Sequence, residues 1–139
     1  MAEVTVDRLR AVAGAVLRDV PEVAAAYAYG SRIRGRPLPL SDQDLAVVLA
    51  APARRADPLL AERVAARIAT ALGSAVEIDA HVADDLPLPV RGRVVTTGVL
   101  IYERDAVRRV EFETATRRLY FDFLPLLERD AREGIRSRG

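Results

Sequence analysis

The stretch GSRIRGRPLPLSDQDLAVVL, Gly30 to Leu49, decides how the chain is read, because it sets two aspartates one residue apart at the head of an apolar run. Asp42 to Leu49 reads as a strand. On a strand, residues i and i+2 point the same way, about 6.6 Å apart. Asp42 and Asp44 therefore share one face, and Gln43 and Leu45 the other. Two carboxylates that close repel each other unless a cation lies between them. Hard divalent ions such as Mg²⁺ take oxygen ligands, often one or two carboxylates, and leave further positions to water and phosphates.

Immediately upstream, Val23 to Tyr29 is small and apolar and reads as a buried strand stopped by Gly30. Residues 31 to 41 carry prolines and arginines and read as a short helical turn followed by a loop. Free N–H groups at such a turn, the helix dipole and the Ser31 hydroxyl make a place for phosphate oxygens, and Gly30 has no side chain to block the approach. Arg32, Arg34 and Arg36 either offset phosphate charge or solvate the loop. Arg32, directly after Ser31, is the best placed of the three.

Outward from this centre the chain alternates helices and strands. Leu9, Val12, Val16 and Val20 form one helical stripe that ends near Pro21. Asp57-Pro58 predicts an N-cap with proline at the first helical position, followed by the stripe Leu60, Val64, Ile68 and Leu72, with Gly73 as terminator. Ala75 to Val82 alternates as a third strand, with Glu77, Asp79 and His81 on its polar face. If this strand lies beside the Asp42 strand, Asp79 supplies a third carboxylate. Three acids suit a two-metal site that holds the attacking and leaving oxygens of a phosphoryl displacement.

Val90 to Thr97 reads as a short helix and Val99 to Tyr102 as a short strand. From about Asp105 to 133 the pattern is helical, with a stripe of Phe112, Ala115, Leu119, Phe123 and Leu126, an expected kink at Pro125 and a frayed tail. Phe112, Tyr120, Phe121 and Phe123 read as core or interface. The expected fold is α/β: a small mixed sheet with flanking helices, in one domain spanning residues 1–139.

Composition excludes several classes. Among 139 residues there is no cysteine and every basic side chain besides His81 is arginine, which removes thiol and lysine chemistry and disulfides. A formal charge of +1 supplies no global field toward nucleic acid or a membrane, so neither is expected as a partner. No signal peptide or membrane-spanning run is seen, and a cytoplasmic location is expected. A lone Asp-x-Asp also reads as a turn cap or as edge-strand charge. The full spacing of Gly-Ser, ten residues, then Asp-x-Asp arises by chance in a chain this long on the order of once in a thousand.

The segment YGSRIRGRPLPLSDQDLAVVL resembles the minimal nucleotidyltransferases (MNT) of the DNA polymerase β superfamily, whose signature is Gly-Ser followed at this spacing by Asp-x-Asp on a strand. VEIDAHVADDLPLPVRGRVVTTGVLIYERD is similar to the stretch that holds the third carboxylate, which falls on Asp79, with Glu77 as a rival. RRVEFETATRRLYFDFLPLLERD resembles the C-terminal helix of MNT antitoxins paired with HEPN toxins. Gln43 departs from the pattern, standing where an apolar residue is usual.

The resemblance implies that Mg²⁺, as two ions, and ATP serve to move AMP onto a hydroxyl, a tyrosine of a HEPN toxin. Asp42, Asp44 and Asp79 would bind the metals, Asp79 would help deprotonate the acceptor, and Gly30, Ser31 and Arg32 would hold the nucleotide. Two alternatives are a stand-alone small-molecule transferase, aminoglycoside-like, and a non-catalytic antitoxin that works by covering its toxin.

Overall fold

The computed structural model describes residues 5–30, 43–55, 57–73 and 77–138, excepting the side chains at 127, 131 and 133–138. Helix α1 (Val6–Leu17) opens at Thr5, whose hydroxyl accepts the Arg8 N–H at 3.1 Å. It buries Leu9, Ala13, Val16 and Leu17. Val20 is also buried but follows the helix instead of extending it.

Strand β1 (Val23–Tyr29) has the expected bounds and is buried at every residue but Tyr29. Its small residues suit a strand covered on both faces. The sheet order is β3-β2-β1-β4, with β2 spanning Gln43–Leu49, β3 Ile78–Val82 and β4 Val99–Glu103. β1 runs antiparallel to β2 and β4, whereas β2 and β3 are parallel, so the sheet is mixed as expected. Parallel neighbours need a crossover, and α2 (Leu60–Leu72) supplies it.

All four residues of the predicted α2 stripe are buried, and Gly73 ends the helix at φ +60°. The N-terminus differs from expectation. Asp57 accepts the Leu59 N–H through Oδ1 at 2.9 Å and pairs with Arg63 at 2.8 Å, so it closes an Asx turn and the helix starts at Leu60. Helix α3 (Leu88–Thr97) begins two residues before the expected start, with Pro89 in its first turn, where a missing N–H costs nothing.

Helix α4 (Ala106–Arg138) continues through Pro125 and into the expected tail. Pro125 is exposed, so water can take the carbonyl its ring leaves without a partner. α4 turns a different face inward from the predicted stripe. Phe112 and Thr116 are buried, whereas Leu119 and Leu126 are about half exposed. The reason lies at Gly92 of α3, where a Cβ would stand 2.0 Å from Cδ1 of Tyr120. The Tyr120 ring therefore rests directly on the α3 backbone, and Phe112, Thr116 and Tyr120 form the inward row at i, i+4 and i+8.

The core has two layers. Leu45, Val47 and Leu49 of β2 face α1 and α2 with Leu9, Leu17, Val64 and Ile68. Ala46 and Val48 face the opposite way, with Tyr27, Val94, Val95 and Phe112. Arg108 fastens α4 at the far end of β2, donating to the Leu49 carbonyl at 2.8 Å and to Asp84 at 2.5 Å. Both members of this ion pair are largely covered, so either alone would leave a poorly solvated charge.

Candidate active site

β1 ends at Gly30 with φ +99°, a left-handed conformation that glycine adopts without strain. A Cβ there would come within 2.9 Å of Asp44 Oδ2. The bend and the carboxylate therefore touch because this residue has no side chain.

Strand register assembles the rest. Tyr29 pairs with Asp44 across β1 and β2, and Asp44 pairs with Asp79 across β2 and β3. Paired residues in a sheet share a face. Tyr29, Asp44 and Asp79 therefore form one row over three strands, on the side covered further along by α3 and α4. The next row is Tyr27, Ala46 and His81. Helical cover closes over Tyr27 and Ala46 but stops short of the acids, leaving the Asp79 side chain 56% exposed.

The electrostatics follow from this row. Burial, reinforced by the carboxylates of Asp44 and Asp79, pushes the Tyr29 phenol up to about 12, against the pull of Arg93 on α3. Tyr27 is raised well above the usual tyrosine range, first by burial and then by its hydrogen bond to Glu113. His81 Nε2 lies 3.1 Å from Asp79 Oδ2.

Gln43 is 2% exposed and points away from the acids. Its Nε2 donates to the Tyr29 carbonyl at 3.2 Å and the Asp44 carbonyl at 3.0 Å. The polar residue at an otherwise apolar position thus ties the end of β1 to the head of β2, satisfying its own amide while it fixes the bend against Asp44.

Of the expected site residues, Gly30, Asp44 and Asp79 are brought together. Asp42, Ser31 and Arg32 lie outside the described residues. Glu77 is exposed and precedes β3, its carbonyl accepting the Gln43 N–H at 2.8 Å, while Asp79 stands level with Asp44. Tyr29 and Arg93 join this corner through the fold, with Asp44, Asp79 and Arg93 all acting on the Tyr29 phenol. The adjacency of Tyr29 to Gly30 was a usable signal, whereas Arg93 comes from a helix 49 positions past Asp44, and no local pattern links them.

Among the described residues no cluster of three or more His, Asp or Glu side chains suited to a metal ion is formed. The donors present are two carboxylates on one face beside a side-chain-free bend, an all-oxygen set of the kind hard divalent cations accept. Nor, among those residues, is any helix long and apolar enough to cross a membrane.

The chain is similar in fold to several solved toxin–antitoxin proteins. A mutant of the MntA–HpeT toxin–antitoxin matches with TM-score 0.70 and 19% identity, over 95% of this chain and 99% of that one. A toxin–antitoxin solved with AMP-PNP matches with TM-score 0.66 and 23% identity, over 87% and 94% of the two chains. The complex of a tri-AMPylated Shewanella oneidensis HEPN toxin with its MNT antitoxin matches with TM-score 0.57 and 21% identity, over 91% and 99%. No curated protein matches at a significant level. Residues 14–107 match the family described as polymerase beta, nucleotidyltransferase, a span that contains β1 to β4 and the row of acids. This chain belongs to the polymerase beta nucleotidyltransferase family.

Proposed function

We propose that the chain is a protein adenylyltransferase, the MNT antitoxin of a HEPN/MNT pair, which moves AMP from ATP onto a tyrosine hydroxyl of a HEPN toxin and so silences it. The observation that carries this reading is the pairing of Asp44 with Asp79 on adjacent parallel strands, beside the Gly30 bend. Its fold neighbours include a complex solved with AMP-PNP and one whose toxin is tri-AMPylated. The exposed apolar side chains Leu119, Phe121 and Leu126 along α4 are consistent with a partner protein.

In this reading Asp42, Asp44 and Asp79 hold Mg²⁺, while Gly30, Ser31 and Arg32 receive the nucleotide phosphates. Bound Mg²⁺ would offset the charge of the triphosphate and of the departing pyrophosphate. The acceptor oxygen bonds to the α-phosphorus of ATP, the bond from that phosphorus to the bridging oxygen breaks, and pyrophosphate leaves. Asp79, exposed at the sheet edge, takes the acceptor proton. The chain acts as one domain in the cytoplasm.

The test is to incubate the purified chain with Mg²⁺ and ATP labelled at the α-phosphate, with and without the protein encoded beside it. Label on a tyrosine of that protein is the expected result. Label on a small molecule would replace the protein acceptor, and no label on any acceptor would leave a toxin-covering role without transfer.

A further inference from the structure

We infer that His81, the one histidine of the chain, is a positioning residue that holds the Asp79 carboxylate in its working orientation. The inference rests on the nucleotidyl-transfer reading above. Residues 79 and 81 lie on the same face of β3, so the imidazole stands beside the carboxylate, with Nε2 3.1 Å from Oδ2. Among the described residues, no other ion pair or side-chain hydrogen bond involves Asp79.

The choice of side chain is informative. Asp57, Asp84, Asp85, Glu103 and Glu113 are each paired with an arginine. Asp79 is paired with an imidazole instead. A guanidinium carries a permanent charge and would compete with any cation for the carboxylate. An imidazole, unlike a guanidinium, carries no permanent charge. It stands against Oδ2, and among the described residues no arginine is paired with Asp79. The next row supports the same arrangement, since His81 sits level with the small buried Ala46. Partners that orient a ligating carboxylate in this way are worth roughly 10- to 100-fold in metal affinity or activity.

The experiment measures Mn²⁺ uptake by electron paramagnetic resonance, in the presence of a non-hydrolysable ATP analogue. It compares the unmodified chain with His81→Ala, His81→Gln and Asp44→Asn, and follows each by thermal unfolding. His81 is 46% exposed, so its replacement leaves the core in place. The expected result is Mn²⁺ binding about tenfold weaker in His81→Ala. His81→Gln, which keeps an amide donor, should recover most of the loss, with all melting midpoints alike. Unchanged binding in His81→Ala, or a His81→Gln as weak as His81→Ala, overturns the role of His81 while leaving the acids in theirs. If Asp44→Asn also binds as the unmodified chain does, or the unmodified chain takes up no Mn²⁺, the site itself is wrong and both readings fall.

Discussion

Asp44 and Asp79 stand directly opposite each other on adjacent parallel strands, with Tyr29 completing the row on the other side of Asp44. Neighbouring strands run about 4.8 Å apart. Like unit charges at that distance repel by about 1 kcal/mol in water and by a few kcal/mol where screening is weaker. A cation held between the two carboxylates would offset that repulsion. Placing both acids where the helical cover ends leaves them a route to a shared cation, and the predictions below follow from that geometry.

Asp44→Asn removes one carboxylate and retains the shape. We expect AMP transfer to fall by at least about 100-fold, in line with the loss of a group that acts on the reacting phosphate. The fold should be retained, since the amide keeps the shape of the carboxylate. Labelled-nucleotide assays and calorimetry on the same preparation check both halves, and an active Asn variant would remove Asp44 from the site.

Gly30→Ala introduces a Cβ 2.9 Å from Asp44 Oδ2, at a backbone φ of +99°. A non-glycine residue held in such a conformation costs on the order of 1–3 kcal/mol, and the contact also displaces the carboxylate. Urea denaturation should register the loss of stability, and kinetics a further loss of turnover. A variant with full activity would mean that the bend does not hold Asp44.

Gly92→Ala drives a methyl into the Tyr120 ring, whose Cδ1 would be 2.0 Å away. We expect α4 to loosen from α3, with a loss of about 1–3 kcal/mol. Tyr120→Ala alone should also destabilise by opening a gap. The double variant should cost less than the two single losses combined, which a double-mutant cycle measures. Strict additivity would show that the two residues do not meet.

The Tyr29 phenol is raised to about 12 from the ordinary value near 10, so the fold favours its neutral form. That contribution to stability is complete below about pH 10 and is lost as pH climbs toward 12, amounting to on the order of 2 kcal/mol. Denaturant unfolding at pH 9 and pH 11.5 should show a decline beyond pH 10 that is smaller in Tyr29→Phe. Tyr27 contributes in the same direction. An identical decline in Tyr29→Phe would show that burial and the two acids do not hold the Tyr29 phenol neutral.

The sequence by itself determined the order of the strands and helices and the place of Asp44 and Asp79 on strands. The spacing of Leu60, Val64, Ile68 and Leu72, the glycine after them and the alternation around Asp79 depend on local periodicities of 3.6 and 2, which a linear string displays directly. It could not decide that Tyr29, Asp44 and Asp79 form one row, because that depends on which strands are neighbours and in what register, and the pairing energy lies between segments far apart in the chain. Nor could it show which face α4 buries. Its apolar residues allowed more than one stripe, and the absence of a side chain at Gly92, to which Tyr120 fits, decided among them. The link from His81 to Asp79 is intermediate. The i, i+2 spacing put both on one face, but the 3.1 Å contact required side-chain directions that exist only in the folded sheet.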